Sequence, residues 1–121
     1  MLIRLRSLAV LALGLVVVGP ALSQGYPTKT VRIVVPFAAG SATDIMARII
    51  AEDLRAALGQ AFIIDNKPGG SAQIGAELVA KAPADGYTLF VTTNTSHSAN
   101  PYLFKKLNYD PVKDFAPVAN I

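Results

Sequence analysis

The stretch from Val31 to Ile50, VRIVVPFAAGSATDIMARII, restricts the fold more than any other part of the chain. A β-branched run ends at Pro36, a loop of small residues follows, and apolar residues recur at helical spacing from about Thr43. The loop therefore joins a strand to a helix. The order then repeats: Ala61 to Ile64 is a short apolar run, Pro68-Gly69-Gly70-Ser71 is a glycine-rich loop, and Ala72 to Lys81 is a second helical stretch. Beyond a turn at Pro83-Ala84-Asp85-Gly86, Tyr87 to Thr92 reads as a third strand. Strands separated by helices pair in parallel through right-handed crossovers. The expected class is α/β, a mostly parallel sheet with flanking helices, and it brings the loops after all three strands to one edge.

Residue patterns give further detail. Val31 to Val35 is apolar on both faces apart from Arg32, as a strand covered on both sides requires. In the first helix Ile45, Met46, Ile49, Ile50, Ala57 and Leu58 are the expected buried face, with Arg48, Glu52 and Arg55 in solvent and Gly59 as the stop. Ile74, Leu78 and Val79 are the apolar residues of the second helix. On the third strand Tyr87, Leu89 and Val91 share a face opposite Phe90. Asn100 to Val112 reads as a packed connection of turn residues and aromatics, and Phe115 to Ile121 as the opening of a further strand. A chain that stops there is expected to be a fragment or a truncated product.

The leader accounts for most of the basicity. Arg4 and Arg6 precede an apolar run from Leu8 to Val18, Gly19 and Pro20 break it, and Ala21-Leu22-Ser23 has the small residues of a cleavage site. This is the pattern of a secretory signal peptide over residues 1–23, cut near Ser23. Its apolar run is shorter than the roughly 20 residues a membrane-spanning helix needs. Without it the formal charge of +3 falls to +1 on 98 residues, which removes any surplus to attract nucleic acid. The chain has no cysteine, so neither a disulfide nor a lipid-accepting cysteine is available, and a soluble periplasmic product is expected.

At the first junction the helix would present amides without intrahelical acceptors, the positive end of its macrodipole, and small residues that do not crowd a ligand. An anion suits such a place. A plain connection is the alternative, because Ser41 followed by Asp44 has capping-box spacing. Neither GxxxxGK[ST] nor GxGxxG is present, so nucleotide readings are weak. The segments 37–44, 68–73 and 93–98 hold hydroxyls, glycines and an amide but neither Lys nor Arg. A carboxylate there would be held by N–H dipoles, hydroxyls and water. His97 is the single histidine, with no cysteine or adjacent acid to make a metal site or a triad. No GxSxG elbow or metal-spaced cluster supports an enzyme, so a secreted hydrolase is the weaker alternative, alongside a remnant without function. No catalytic residue, metal or cofactor is assigned.

Three strings carry a resemblance: YPTKTVRIVVPFAAGSATDIMAR, IIDNKPGGSAQIGAELVAKAPADGYTL and SANPYLFKKLNYDPVKDFAPV. Together they resemble the N-terminal part of the Bug receptors, the extracytoplasmic solute-binding proteins of tripartite tricarboxylate transporters. The likeness spans residues 26–121 and includes PF-x-x-G with T-D after it, N-x-PG, DGYTL and YDP-x-KDF. It implies a type II periplasmic-binding-protein fold, in which two α/β lobes close on a small organic acid. It also implies membrane permease subunits as partners and a monomer at full length. By that analogy Phe37, Ala38, Ala39, Gly40, Ser41, Thr43 and Asp44 face the ligand. So do Gly69, Gly70, Ser71 and Ala72, and Thr93, Asn94 and Thr95 form a third contact. At Ser41 many relatives carry a second glycine. Residues 24–121 correspond to an incomplete first lobe, so with no second lobe to close against, weak or no binding by the chain alone is expected.

Overall fold

The computed structural model of the protein describes residues 25–121, and the signal peptide expected over residues 1–23 lies outside them. Strand β1, Val31–Val35, leads to helix α1, Ala42–Leu58, then strand β2, Phe62–Asn66, helix α2, Gln73–Ala80, and strand β3, Thr88–Phe90. A π-helical turn, Thr95–Ala99, runs directly into the short helix α3, Asn100–Leu103. The three strands form one parallel sheet in the order β2-β1-β3, with Ile33 opposite both Ile64 and Leu89. Pairing reaches beyond β3, since Arg32 N donates to Tyr87 O at 2.9 Å and Val91 N donates to Val34 O at 3.0 Å.

Alternation along β1 decides which helix covers which face. Ile33 and Val35 are buried against Ala47 and Ala51 of α1, with Phe37, Phe62, Ile64, Leu89 and Val91 around them. Val34 is buried on the other face, where Phe90 stacks on Phe115 with ring centroids 5.8 Å apart. There α2 comes in at Gly75, where an added Cβ would lie 2.9 Å from Pro36 Cβ. Arg32 and Asp65 share this second face and pair through Arg32 Nε donating to Asp65 Oδ2 at 2.8 Å.

Several side-chain expectations are corrected. The buried stripe of α1 is Asp44, Ala47 and Ala51, whereas Ile45, Met46, Ile49 and Leu58 lie largely in solvent. Ala57 is exposed as well, and Ile50 is half-buried. Alanines allow the helix axis to approach the sheet, while Ile45, Met46 and Ile49 lie a third to half of a turn round from that stripe and face away from it, and Leu58 stands at the helix end. In α2 the buried residues are likewise small, Gly75 and Ala76, while Ile74 is exposed. Strand β2 extends through Asp65 and Asn66, because their backbones continue the ladder with Val34 and Val35. The stretch from Asn100 to Val112 is less packed than expected, with Tyr102 and Leu103 of α3 and Val112 beyond it all exposed. No strand forms over 115–121 among the described residues.

Candidate functional site

The strand order places the site. From β1 the chain crosses over to β2 on one side, while β3 lies on the other, so the connections diverge between the ends of β1 and β3. Ligands of open α/β sheets bind at such a switch point. An open cavity of ≈ 620 Å³ lies there, lined by Ala42, Thr43 and Met46 of α1, by Val91 to Asn94, by His97 and by residues 119–121. A separate surface depression of ≈ 610 Å³ over the Pro101–Asp114 connection is remote from the strand ends.

The first loop is shaped by one carboxylate. Gly40 takes φ 83, Ser41 is the N-cap of α1, and its Oγ accepts from Asp44 N at 3.3 Å. Asp44 Oδ2 accepts from Gly40 N at 2.8 Å and from Arg48 Nε at 2.9 Å. Its Oδ1 accepts from Asn66 Nδ2 at 2.9 Å, and that same amide donates to Phe37 O at 3.1 Å. The hydrogen bond from Arg48, helped by those from Gly40 and Asn66, holds the Asp44 carboxyl down to about 2. Asp44 was expected to face ligand. It is instead 1% exposed with both oxygens taken by the protein, so it braces the loop from beneath. The capping box is also shifted by one residue, because the carboxylate returns to Gly40 N rather than to Ser41 N, which donates to Ala38 O. Ala38, Ala39 and Gly40 stay exposed, and the first-turn amides of Ala42 and Thr43 have no intrahelical acceptor.

The second loop turns left-handed for four residues: Gly69 at φ 126, Gly70 at 56, Ser71 at 53 and Ala72 at 71. A Cβ at Gly69 would meet Ile74 Cδ1 at 2.6 Å, but that is the far end of a half-exposed side chain that can turn away, so conformation rather than space requires glycine there. Ala72 is 2% exposed and its methyl is turned inward. None of Gly69, Gly70, Ser71 or Ala72 lines the cavity. All three loops stand at one sheet edge, but β1 separates β2 from β3, and in this cavity only the start of α1, through Ala42, Thr43 and Met46, meets the third loop; Phe37 to Ser41 do not line it, and Phe37 packs against the core instead.

In the third segment Thr93 Oγ1 donates to Thr95 Oγ1 at 3.0 Å, and Thr93 and Asn94 line the cavity beside Thr43. Thr95 begins the π-helical turn, a rare geometry that recurs at functional sites. Ser96 is buried, with its Oγ 3.0 Å from Thr92 Oγ1 and 2.9 Å from His97 Nδ1. His97 packs edge-on against Phe115 at 4.7 Å, and burial pushes its ring below the usual imidazole value. With Nδ1 at a hydroxyl and aromatic neighbours, the ring has the surroundings of a packing residue. Sequence reasoning missed the supports Asn66, Asn100 and Tyr109. Asn66 could have been found, since it closes an apolar run just before a glycine-rich loop.

Among the described residues no Lys or Arg side chain lines the cavity wall. Arg48 is nearest in the chain, and its charge is committed to Asp44. What the arrangement offers is a helix N-terminus, hydroxyls and an amide beside an apolar wall of Met46 and Val91.

A model of the tripartite tricarboxylate transporter family receptor matches residues 46–121. The chain belongs to this family. It is 44% identical over 101 residues to a UPF0065 protein of Bordetella bronchiseptica, covering 84% of this chain and 30% of that protein. The fold matches a structure described as a periplasmic transporter, with TM-score 0.76 and 46% identity over 78% of this chain and 32% of that one. It also matches MatC from Rhodopseudomonas palustris with bound malate, with TM-score 0.73 and 45% identity over 77% of this chain and 32% of MatC. The family and the α/β architecture inferred from the sequence strings are thus shown, and these neighbours are transport and binding proteins rather than enzymes. The chain spans about a third of the length of the proteins it matches.

Proposed function

We propose that this chain supplies a wall of the ligand cleft in an extracytoplasmic receptor for small carboxylates, which hands its solute to the permease subunits of a tripartite tricarboxylate transporter. The observation that carries the reading is the cavity between the ends of β1 and β3. There the N-terminus of a 17-residue helix faces Thr93 and Asn94, with no Lys or Arg among the described residues of the lining. Such a site favours an anion through aligned amides and dipole. Likeness to a malate-bound structure supports a carboxylate. In this reading Thr43 and Thr93 to Thr95 surround the ligand, Phe37 to Ser41 and Gly69 to Ser71 adjoin it, and Asp44 and Ala72 hold the loops in shape. The leader over residues 1–23 directs export, and the receptor works as a periplasmic monomer.

Two amide donors to a charged acceptor contribute about 1.5 to 3 kcal/mol each. Against an association cost of about 4 kcal/mol or more, their sum of about 3 to 6 kcal/mol leaves these residues alone an affinity weaker than millimolar, which a titration carried to high malate concentration can still read. The test is a ¹⁵N-resolved NMR titration with malate, using malamide as an uncharged control. Saturable shifts at Ala42, Thr43, Thr93 and Asn94 with malate only are expected. Absence of shifts, or equal shifts with malamide, would overturn the carboxylate reading.

A further inference from the structure

Asn100, the first residue of α3, has no exposed surface, a place where a carboxamide must find partners. Its Nδ2 donates to Ser71 O at 2.8 Å and to the Tyr109 hydroxyl at 3.2 Å, and that hydroxyl donates to Ser96 O at 2.7 Å. Its Oδ1 accepts from nothing among the described residues. The amide's orientation is set by the Ser71 carbonyl, which only Nδ2 can serve. Ser71 and Ala72 carry side chains yet sit at positive φ, a conformation that persists only where its surroundings over-determine it. The grip from Asn100 is a contact across 29 residues at the middle of that turn.

The chain of contacts continues. Ser96, reached through Tyr109, touches Thr92 and His97 with its own hydroxyl, and both of those line the cavity. A buried polar path thus runs from the second loop, which does not line the cavity, to the third, which does.

We infer that Asn100 is a positioning residue: it holds Ser71 and Ala72 in the left-handed turn and, through Tyr109, ties the second loop to the π-helical turn that carries the third. Its bearing on ligand rests on the carboxylate reading above, but the positioning itself can be measured without ligand. Loss of this buried bond in Asn100→Ala should speed amide exchange at Gln73, whose N–H donates to Gly70 O at 3.1 Å across the turn, by about tenfold or more. The ³J(HN–Hα) couplings of Ser71 and Ala72 should leave left-handed values, while Ile33 and Val34 keep their sheet shifts. A Ser71→Gly change should move the Ser96 and His97 amides in the unsubstituted background, and no longer do so with Tyr109→Phe, which keeps the ring and removes one hydroxyl.

Unchanged exchange at Gln73 and unchanged couplings at Ser71 and Ala72 in folded Asn100→Ala would overturn the positioning role, and undiminished propagation in Tyr109→Phe would overturn the tie. Where Asn100→Ala does not fold, the unsubstituted chain decides. Slow exchange of the Asn100 carboxamide protons is expected, and exchange at the free-amide rate sinks the inference. Failure of the carboxylate reading is recognised separately, by a malate titration that shifts none of the loop amides while the Asn100 results stand.

Discussion

Asp44 shows what a single residue type can conceal. An acid in the first turn of a helix suits the dipole whether it faces ligand or protein, and only the position of Asn66 settles which. Its carboxyl, held at about 2 against an ordinary 3.8, stays ionised where the unfolded chain already binds a proton. The stability it contributes is therefore complete above pH 3.8 and is lost as pH falls from there to about 2. Asp44→Asn should be less stable than the parent near neutrality, with the gap closing through that window in urea unfolding at stepped pH. A gap independent of pH would mean that the carboxylate's charge is irrelevant. His97 works in the same direction at higher pH. Burial lowers its proton affinity, so the unfolded chain takes up a proton first and stability declines as pH drops below 6.5. His97→Phe, which keeps the contacts with Phe90 and Phe115, should flatten the decline between pH 7 and 5 in the same measurement.

At the level of elements, position along the chain was legible and orientation was not. The β-branched run of β1, the Ser41 cap and the Gly59 stop are local signals, and α1 begins and ends where they point. Helical periodicity, however, selects Ile45 and Ile49 as readily as Ala47 and Ala51, and which stripe is buried depends on how closely the helix must approach the sheet. The π-helical turn left no trace in the sequence, since its register depends on Tyr109 and Asn100 beneath it. Close approach is also the reason for glycine in α2. A methyl at Gly75 would sit 2.9 Å from Pro36 Cβ, 3.2 Å from Pro36 Cα and 3.3 Å from Lys67 O. Gly75→Ala gains helix propensity yet forces these groups apart, and overpacking of this kind costs about 1–3 kcal/mol. Urea unfolding should show a net loss of stability, whereas a gain would indicate that α2 can slide away from Pro36 freely.

For the molecule as a whole, parallel topology predicted that the loops share an edge, but not which pair would enclose space. That required the order β2-β1-β3, which follows from the crossovers and cannot be read from any one segment. The same layout leaves apolar surface uncovered. Ile45 and Ile49, one helical turn apart on the side of α1 turned from the sheet, are 53% and 60% exposed. Residues 24–121 carry a formal charge of only +1, so little electrostatic repulsion opposes association through such a surface. Sedimentation velocity should show the weight-average mass rising with concentration, and Ile49→Lys should suppress the rise by placing a charge in the stripe. Salt separates the two physical causes. Association driven by apolar burial strengthens in sulfate, whereas pairing of surface charges weakens as the ionic atmosphere screens it. A mass that stays monomeric at every concentration, or a rise that sulfate abolishes, would remove the exposed α1 stripe as the cause.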